Sequence, residues 1–116
     1  MTSEVEMLEK KCRKYTEEHA AATANGDYKT ANRSYDKLAG LLPKLRSSHD
    51  QGKEILYRLM KDPSDAVSMW AATHSLPIAE EDALAILEAI AKRGGIIGFN
   101  AEMVIKEWKA GRLMIH

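Results

Sequence analysis

Cysteine is almost missing from this chain: Cys12 stands alone among 116 residues. One cysteine excludes an internal disulfide and a multi-cysteine metal site. Long apolar runs are missing too, and none approaches the ~20 residues needed to span a bilayer. No membrane partner is therefore expected. An excess of one charge is also lacking, since 17 Lys and Arg balance 17 Asp and Glu. Dedicated nucleic-acid binders rest on neutralising phosphates, so zero net charge argues against that class. The first residues, Met-Thr-Ser-Glu-Val-Glu, carry neither a basic flank nor an apolar core. No secretory signal is expected, and a cytoplasmic location is the default.

What is present is ordinary for a globular chain: 45% hydrophobic and 29% charged residues, too apolar for a disordered one. The length suits one domain over residues 1–116. Charge is unevenly spread, with a net of +3 over residues 1–61 and −3 over residues 62–116. The plain explanation is variation among solvated faces. The sharper one is an acidic C-terminal half that meets a basic partner.

The pattern predicts an all-α fold of about six helices in antiparallel hairpins. Ser3 with Glu6 fits a capping box that opens the first helix. Val5, Leu8, Cys12, Tyr15, His19 and Ala22 then follow three-four spacing. Asn25-Gly26 stops that helix and Asp27 caps the next. The second stripe is Tyr28, Ala31, Tyr35, Leu38, Leu42 and Leu45, with Pro43 expected to end or kink the helix. Residues 1–48 thus read as an N-terminal helical hairpin, and residues 49–116 as four shorter helices.

Ser47-Ser48-His49-Asp50 offers a cap for the third helix, which presents Ile55, Leu56, Leu59 and Met60. Asp62-Pro63 ends it. Ser64 caps the fourth, where Val67, Trp70, Ala71 and His74 share a face. Pro77 ends that helix, and Glu80, Glu81 and Asp82 open the fifth, complementing its dipole. The fifth helix reads as the most buried, through Ala83, Leu84, Ile86, Leu87, Ile90 and Ala91. Gly94-Gly95 terminate it. Ile96, Ile97 and Phe99 are expected in a loop tucked against the core. Asn100 is expected to cap the sixth helix, with Met103 or Val104 and Trp108 inward and Gly111 at its end. No strand alternation is present. Stacked hairpins of this kind suggest a HEAT-like α-α superhelix, a short solenoid or an irregular bundle.

The segments Met69-Trp70-Ala71-Ala72-Thr73-His74-Ser75-Leu76-Pro77, Gly98-Phe99-Asn100-Ala101-Glu102-Met103-Val104 and Glu107-Trp108-Lys109-Ala110-Gly111-Arg112-Leu113 resemble the signature of a bacterial family with a HEAT-like helical fold and no assigned activity. Gly26-Asp27-Tyr28-Lys29-Thr30-Ala31-Asn32 is similar to that family's first hairpin. The resemblance spans nearly the whole chain. Related small HEAT-like proteins include immunity proteins that neutralise toxins of neighbouring bacteria; a toxin-binding role follows only by analogy of fold and size, with no toxin-contacting motif placed on residues of this chain.

Residues able to do chemistry have simpler structural explanations. His74 and His19 lie on apolar stripes and read as core-edge histidines. His49 belongs to a helix start, and His116 is terminal. No His-Glu-x-x-His pattern exists, so no metal ligands are assigned. Cys12 on the seam reads as a small buried hydrophobe. Consecutive Glu80, Glu81 and Asp82 point to different sides of a helix and serve a paired-carboxylate reaction poorly. Gly94-Gly95-Ile96-Ile97-Gly98 lacks the Gly-Lys-Ser/Thr ending of a phosphate loop. Trp70 and Trp108 suit core packing better than partner anchoring.

The expected function is therefore a non-enzymatic protein–protein interaction module without cofactor or catalytic residues. Its most concrete form is an immunity protein that occludes a basic toxin domain. Asp62, Asp65, Glu80, Glu81 and Asp82 would form an acidic interface rim, with His74 as a further contact. Two alternatives remain. One is a nucleic-acid-acting or nucleic-acid-binding protein using Lys10, Lys11, Arg13, Lys14, Arg33 and Lys37 on the first hairpin. The other is a structural subunit of a homodimer or larger homo-oligomer.

Overall fold

In a computed structural model, residues 4–47 and 50–113 are described. Ser3, Ser48, His49 and His116, which the capping and histidine expectations invoked, lie outside them. The described residues form six helices and no strand: α1 (Glu4–Ala24), α2 (Tyr28–Ser47), α3 (Asp50–Met60), α4 (Asp65–Ser75), α5 (Glu80–Arg93) and α6 (Gly95–Lys109). They divide into two compact units, residues 1–59 and residues 60–116.

The first unit is built on the α1–α2 hairpin. Its turn is a Schellman cap. Gly26 takes φ 74°, the Asp27 N–H reaches the Ala22 carbonyl at 2.8 Å, and the Gly26 N–H reaches Thr23. Asp27 then accepts from the Thr30 N–H at 3.2 Å and caps α2. These bonds to Thr30 hold the Asp27 carboxyl below its usual range.

The expected seam is partly displaced. On α2 the buried residues are Ala31, Ser34, Leu38, Leu41 and Leu45. Tyr28 and Tyr35 stand exposed, and Leu42 is half-buried. Polar bonds across the hairpin fix this rotation. The His19 Nδ1–H donates to the Ala31 carbonyl at 2.9 Å, and Ser34 Oγ donates to Glu18 at 3.0 Å. On α1, Thr16 is buried beside Cys12 and donates to its carbonyl at 2.7 Å, whereas Tyr15 is only half-buried. Pro43 neither ends α2 nor frees Leu45. The helix runs through to Ser47, and Leu45 stays buried. Pro43 and Ala39 are both exposed, so the Ala39 carbonyl that proline leaves without its helical donor faces water. Gly52 of α3 meets the Leu45 backbone so closely that a Cβ there would collide with its carbonyl. Arg58 of α3 pairs with Glu9 of α1 at 2.6 Å.

In the second unit α4 packs against both α5 and α6, and α5 packs against α6. Ser64 caps α4 by accepting from the Val67 N–H. Ser68 Oγ donates to the Met60 carbonyl at 2.6 Å. Five residues of α4 are buried, against three of the longer α5, so α5 is not the most enclosed helix here. Small side chains explain this: Ser68, Ala71, Ala72 and Ser75 let neighbours approach α4 closely.

The greatest departure is at residues 95–100. Gly94 and Gly95 both take positive φ, 76° and 73°, and reverse the chain within two residues. Therefore α6 starts at Gly95, not at Asn100, and Ile96, Ile97 and Phe99 are helical rather than looped. Its buried residues are Gly98 and Ala101. A Cβ at Gly98 would lie 3.2 Å from both the Ala91 and the Ile90 carbonyl oxygens. Backbones this close leave no room for a side chain at that position; Ile96 and Phe99 turn outward, and Ile97 is half-buried. Gly111, at φ 75°, closes the helix as expected, with the Arg112 N–H on the Glu107 carbonyl at 2.9 Å.

Candidate interaction surfaces

The acidic residues singled out from the sequence fall at two places. Asp62 and Asp65 sit at the start of α4 and line a groove of about 540 Å³ with Lys61 and Arg93. Asp65 is ion-paired with Arg93 of the last turn of α5. Asp62 accepts from the Ser64 N–H at 3.0 Å. Because the two helices run antiparallel, Glu80, Glu81 and Asp82 start α5 at the other end of the pair. Thirteen helical steps of 1.5 Å place them roughly 20 Å from Arg93. Glu80 accepts from the Trp108 indole N–H at 3.1 Å, which ties the start of α5 to the end of α6. The five carboxylates are thus two small groups near opposite ends of α5, both within the second unit, rather than one rim.

His74 lies in the last turn of α4, half-buried, with its ring 5.0 Å from that of Trp70 at 55°. Among the described residues no group of three or more His, Cys, Asp or Glu is placed to hold a metal ion. Cys12 is fully buried. Burial, with Glu9 nearby, pushes its thiol up to about 12, so the sulfur behaves as part of the core.

Two surfaces emerge that the sequence did not single out in this form. The first is the outward side of α6. Ile96, Phe99 and Met103 are 76%, 61% and 38% exposed and follow three-four spacing. Opposite them lie the buried Gly98 and Ala101. The signal was legible, because Gly98 and Ala101 are themselves three apart and mark a close-packing face. Hydrophobicity alone outranked it.

The second is one edge of the α1–α2 hairpin. Lys14 and Lys37 both reach the Tyr15 ring, 5.6 and 5.3 Å from its centroid. Lys11 and Lys44 line a groove of about 480 Å³ with Glu4, Val5, Met7, Leu8 and Leu41. Of the basic residues named from sequence, Lys11, Lys14 and Lys37 are therefore brought to one edge. Arg13 is not, because it falls more than a quarter-turn round α1 from both Lys11 and Lys14.

No protein-family model matches this sequence, and no curated protein sequence does. Among solved structures, the chain is similar to the protein RPA1889 from Rhodopseudomonas palustris CGA009. The similarity covers 97% of this chain and 93% of that one, with a TM-score of 0.86 and 22% sequence identity. At that identity the likeness is one of fold, and it places this all-helical arrangement in an experimentally determined bacterial protein.

Proposed function

We propose that the chain is a non-catalytic protein-docking module that offers the outward side of α6 to an amphipathic helix of a partner. One observation carries this reading: three large apolar side chains stand exposed at seam spacing on a helix whose opposite side is already packed. Scattered exposed hydrophobes need no explanation, but a stripe at this spacing matches what a helix presents to another helix. The charged pair beside it, Glu102 and Lys106, is joined at 3.2 Å and adds no net charge. An apolar stripe with a mixed-charge rim is the complementary partner chemistry. Burying the exposed parts of the three side chains contributes roughly 3–5 kcal/mol, enough for the centre of an interface.

The concrete partner proposed is a toxin domain whose active cleft the module occludes, by analogy of fold and size with HEAT-like immunity proteins. The acidic-rim version of that role has less support, since Asp65 is already paired and the carboxylates lie at two ends. Affinity capture from the source bacterium tests the proposal. The wild-type chain should retain one stoichiometric partner. A chain carrying Ile96→Lys and Phe99→Glu should lose it while keeping its helical circular dichroism. A toxin identified this way should be neutralised in a growth-rescue assay by the wild-type chain only. Identical capture by both chains, or no partner at all, overturns the α6 reading.

A further inference from the structure

The edge of the first hairpin combines three features. Two lysines from different helices share one aromatic ring, each drawn to the electron-rich face of Tyr15. About one helical turn further along α1, Lys11 borders a groove whose floor is Val5, Leu8 and Leu41. Met7, 48% exposed, flanks it. Cationic tips therefore stand beside an apolar trough.

We infer that this edge docks a short acidic segment of a partner protein, with an apolar side chain in the groove and carboxylates on the lysines. Its length fixes the class of ligand. From Lys37 to Lys44 the helix rises only about 10 Å, the span of roughly three extended residues. Carboxylates close both ends. Glu18 lies one turn beyond Lys14 and holds Ser34, and Glu4 lines the far side of the groove. A phosphate backbone running along the edge would meet like charge at each end, and the trough of Val5, Leu8 and Leu41 offers it nothing. A short segment with two or three carboxylates fits between, and its apolar residue uses the floor. This surface lies within residues 1–59, so it stands or falls apart from the α6 proposal.

A random peptide library displayed against the intact chain tests the inference. Enriched sequences should place two or more Asp or Glu beside Leu, Ile or Phe. The synthetic consensus peptide should bind saturably and more weakly as salt rises. Affinity should fall about tenfold or more with Lys14→Glu and Lys37→Glu together, and with an Asn/Gln version of the peptide. Lys14→Gln with Lys37→Gln, which removes charge without reversing it, should weaken binding in the same direction and guards against misfolding of the first variant. Lys29→Glu, exposed elsewhere on α2, should leave affinity unchanged. No enrichment, non-acidic consensus sequences, or unchanged affinity in both double variants overturns the inference. Tighter binding of a single-stranded oligonucleotide of equal charge overturns it as well.

Discussion

The two units solve the same packing problem with different side chains. The α1–α2 seam is part polar: Thr16 and Ser34 are buried, and His19, Ser34 and Thr16 each make a named hydrogen bond. The α4–α5–α6 unit also buries two hydroxyls, Ser68 and Ser75, but its interface is made mainly by small apolar side chains and is closer packed. Val67, Ala71, Ala72, Ala83, Leu87 and Ala101 are fully buried, and Gly98 sits against carbonyls of α5. A polar seam sets direction and register, because each donor has one acceptor in reach. A small-residue interface sets distance, because nothing protrudes to hold the backbones apart. The second solution has a surface consequence: the fully buried positions of α6 go to Gly98 and Ala101, and Ile96, Phe99 and Met103 face outward.

The spectroscopic probes also divide by unit. Cys12 belongs to residues 1–59, while Trp70 and Trp108 belong to residues 60–116. The contrast between units can therefore be broken or sharpened by reading each one separately. The largest expected effect is on Cys12. With its thiol pushed from 9.0 to about 12, the thiolate fraction at pH 8 is about a thousandfold lower than in the unfolded chain. Iodoacetamide labelling should be slower by that factor in buffer than in urea. Equal rates would mean that the polar seam opens freely. The sign follows from the raised value. Preference for the neutral thiol stabilises the folded unit below pH 9, and that contribution is lost as pH climbs from 9 towards 12.

Next in size is Leu87→Ala, at a position with no exposure. It should destabilise the second unit by about 3 kcal/mol, the usual scale for a cavity in a tight core. Tryptophan fluorescence during urea unfolding reads it directly. A loss under about 1 kcal/mol would show that the α4–α6 interior relaxes around the void. The smallest effect is Ser34→Ala, which removes one hydroxyl donor to Glu18 and should destabilise the hairpin by about 1 kcal/mol. Urea dependence of Cys12 labelling measures it. If Ser34→Ala outweighs Leu87→Ala, the polar seam is the stronger of the two solutions and the comparison is reversed.

How much was legible differs between the units for a physical reason. Caps and stops were read correctly where the signal is local. Asp27, Ser64, Gly26 and Gly111 act through their own backbone neighbours, so sequence spacing suffices. The rotation of α2 was not legible, because Ser34 scores as polar until Glu18 of the facing helix is placed beside it. The surface role of α6 was legible only in the three-residue spacing of Gly98 and Ala101, which the hydrophobicity of Ile96 and Phe99 outweighed. Of the candidate acidic residues, Asp65, Glu80, Glu81 and Asp82 lie on the expected helices and Asp62 in the connection before α4. That the set forms two groups depends on α4 and α5 being antiparallel and on the length of α5, about 20 Å.

The sequence by itself determined six amphipathic segments, their punctuation by Gly, Pro, Ser and Asp, and hence an all-helical chain. These are nearest-neighbour properties, set by backbone conformations and bonds within a turn. Tertiary structure alone decided the rotation of α2 and which residues of α6 are buried. Burial is settled by how closely two backbones approach. At Gly98 that approach admits a hydrogen and no side chain, while Ile96 and Phe99 lie exposed on the other side of α6.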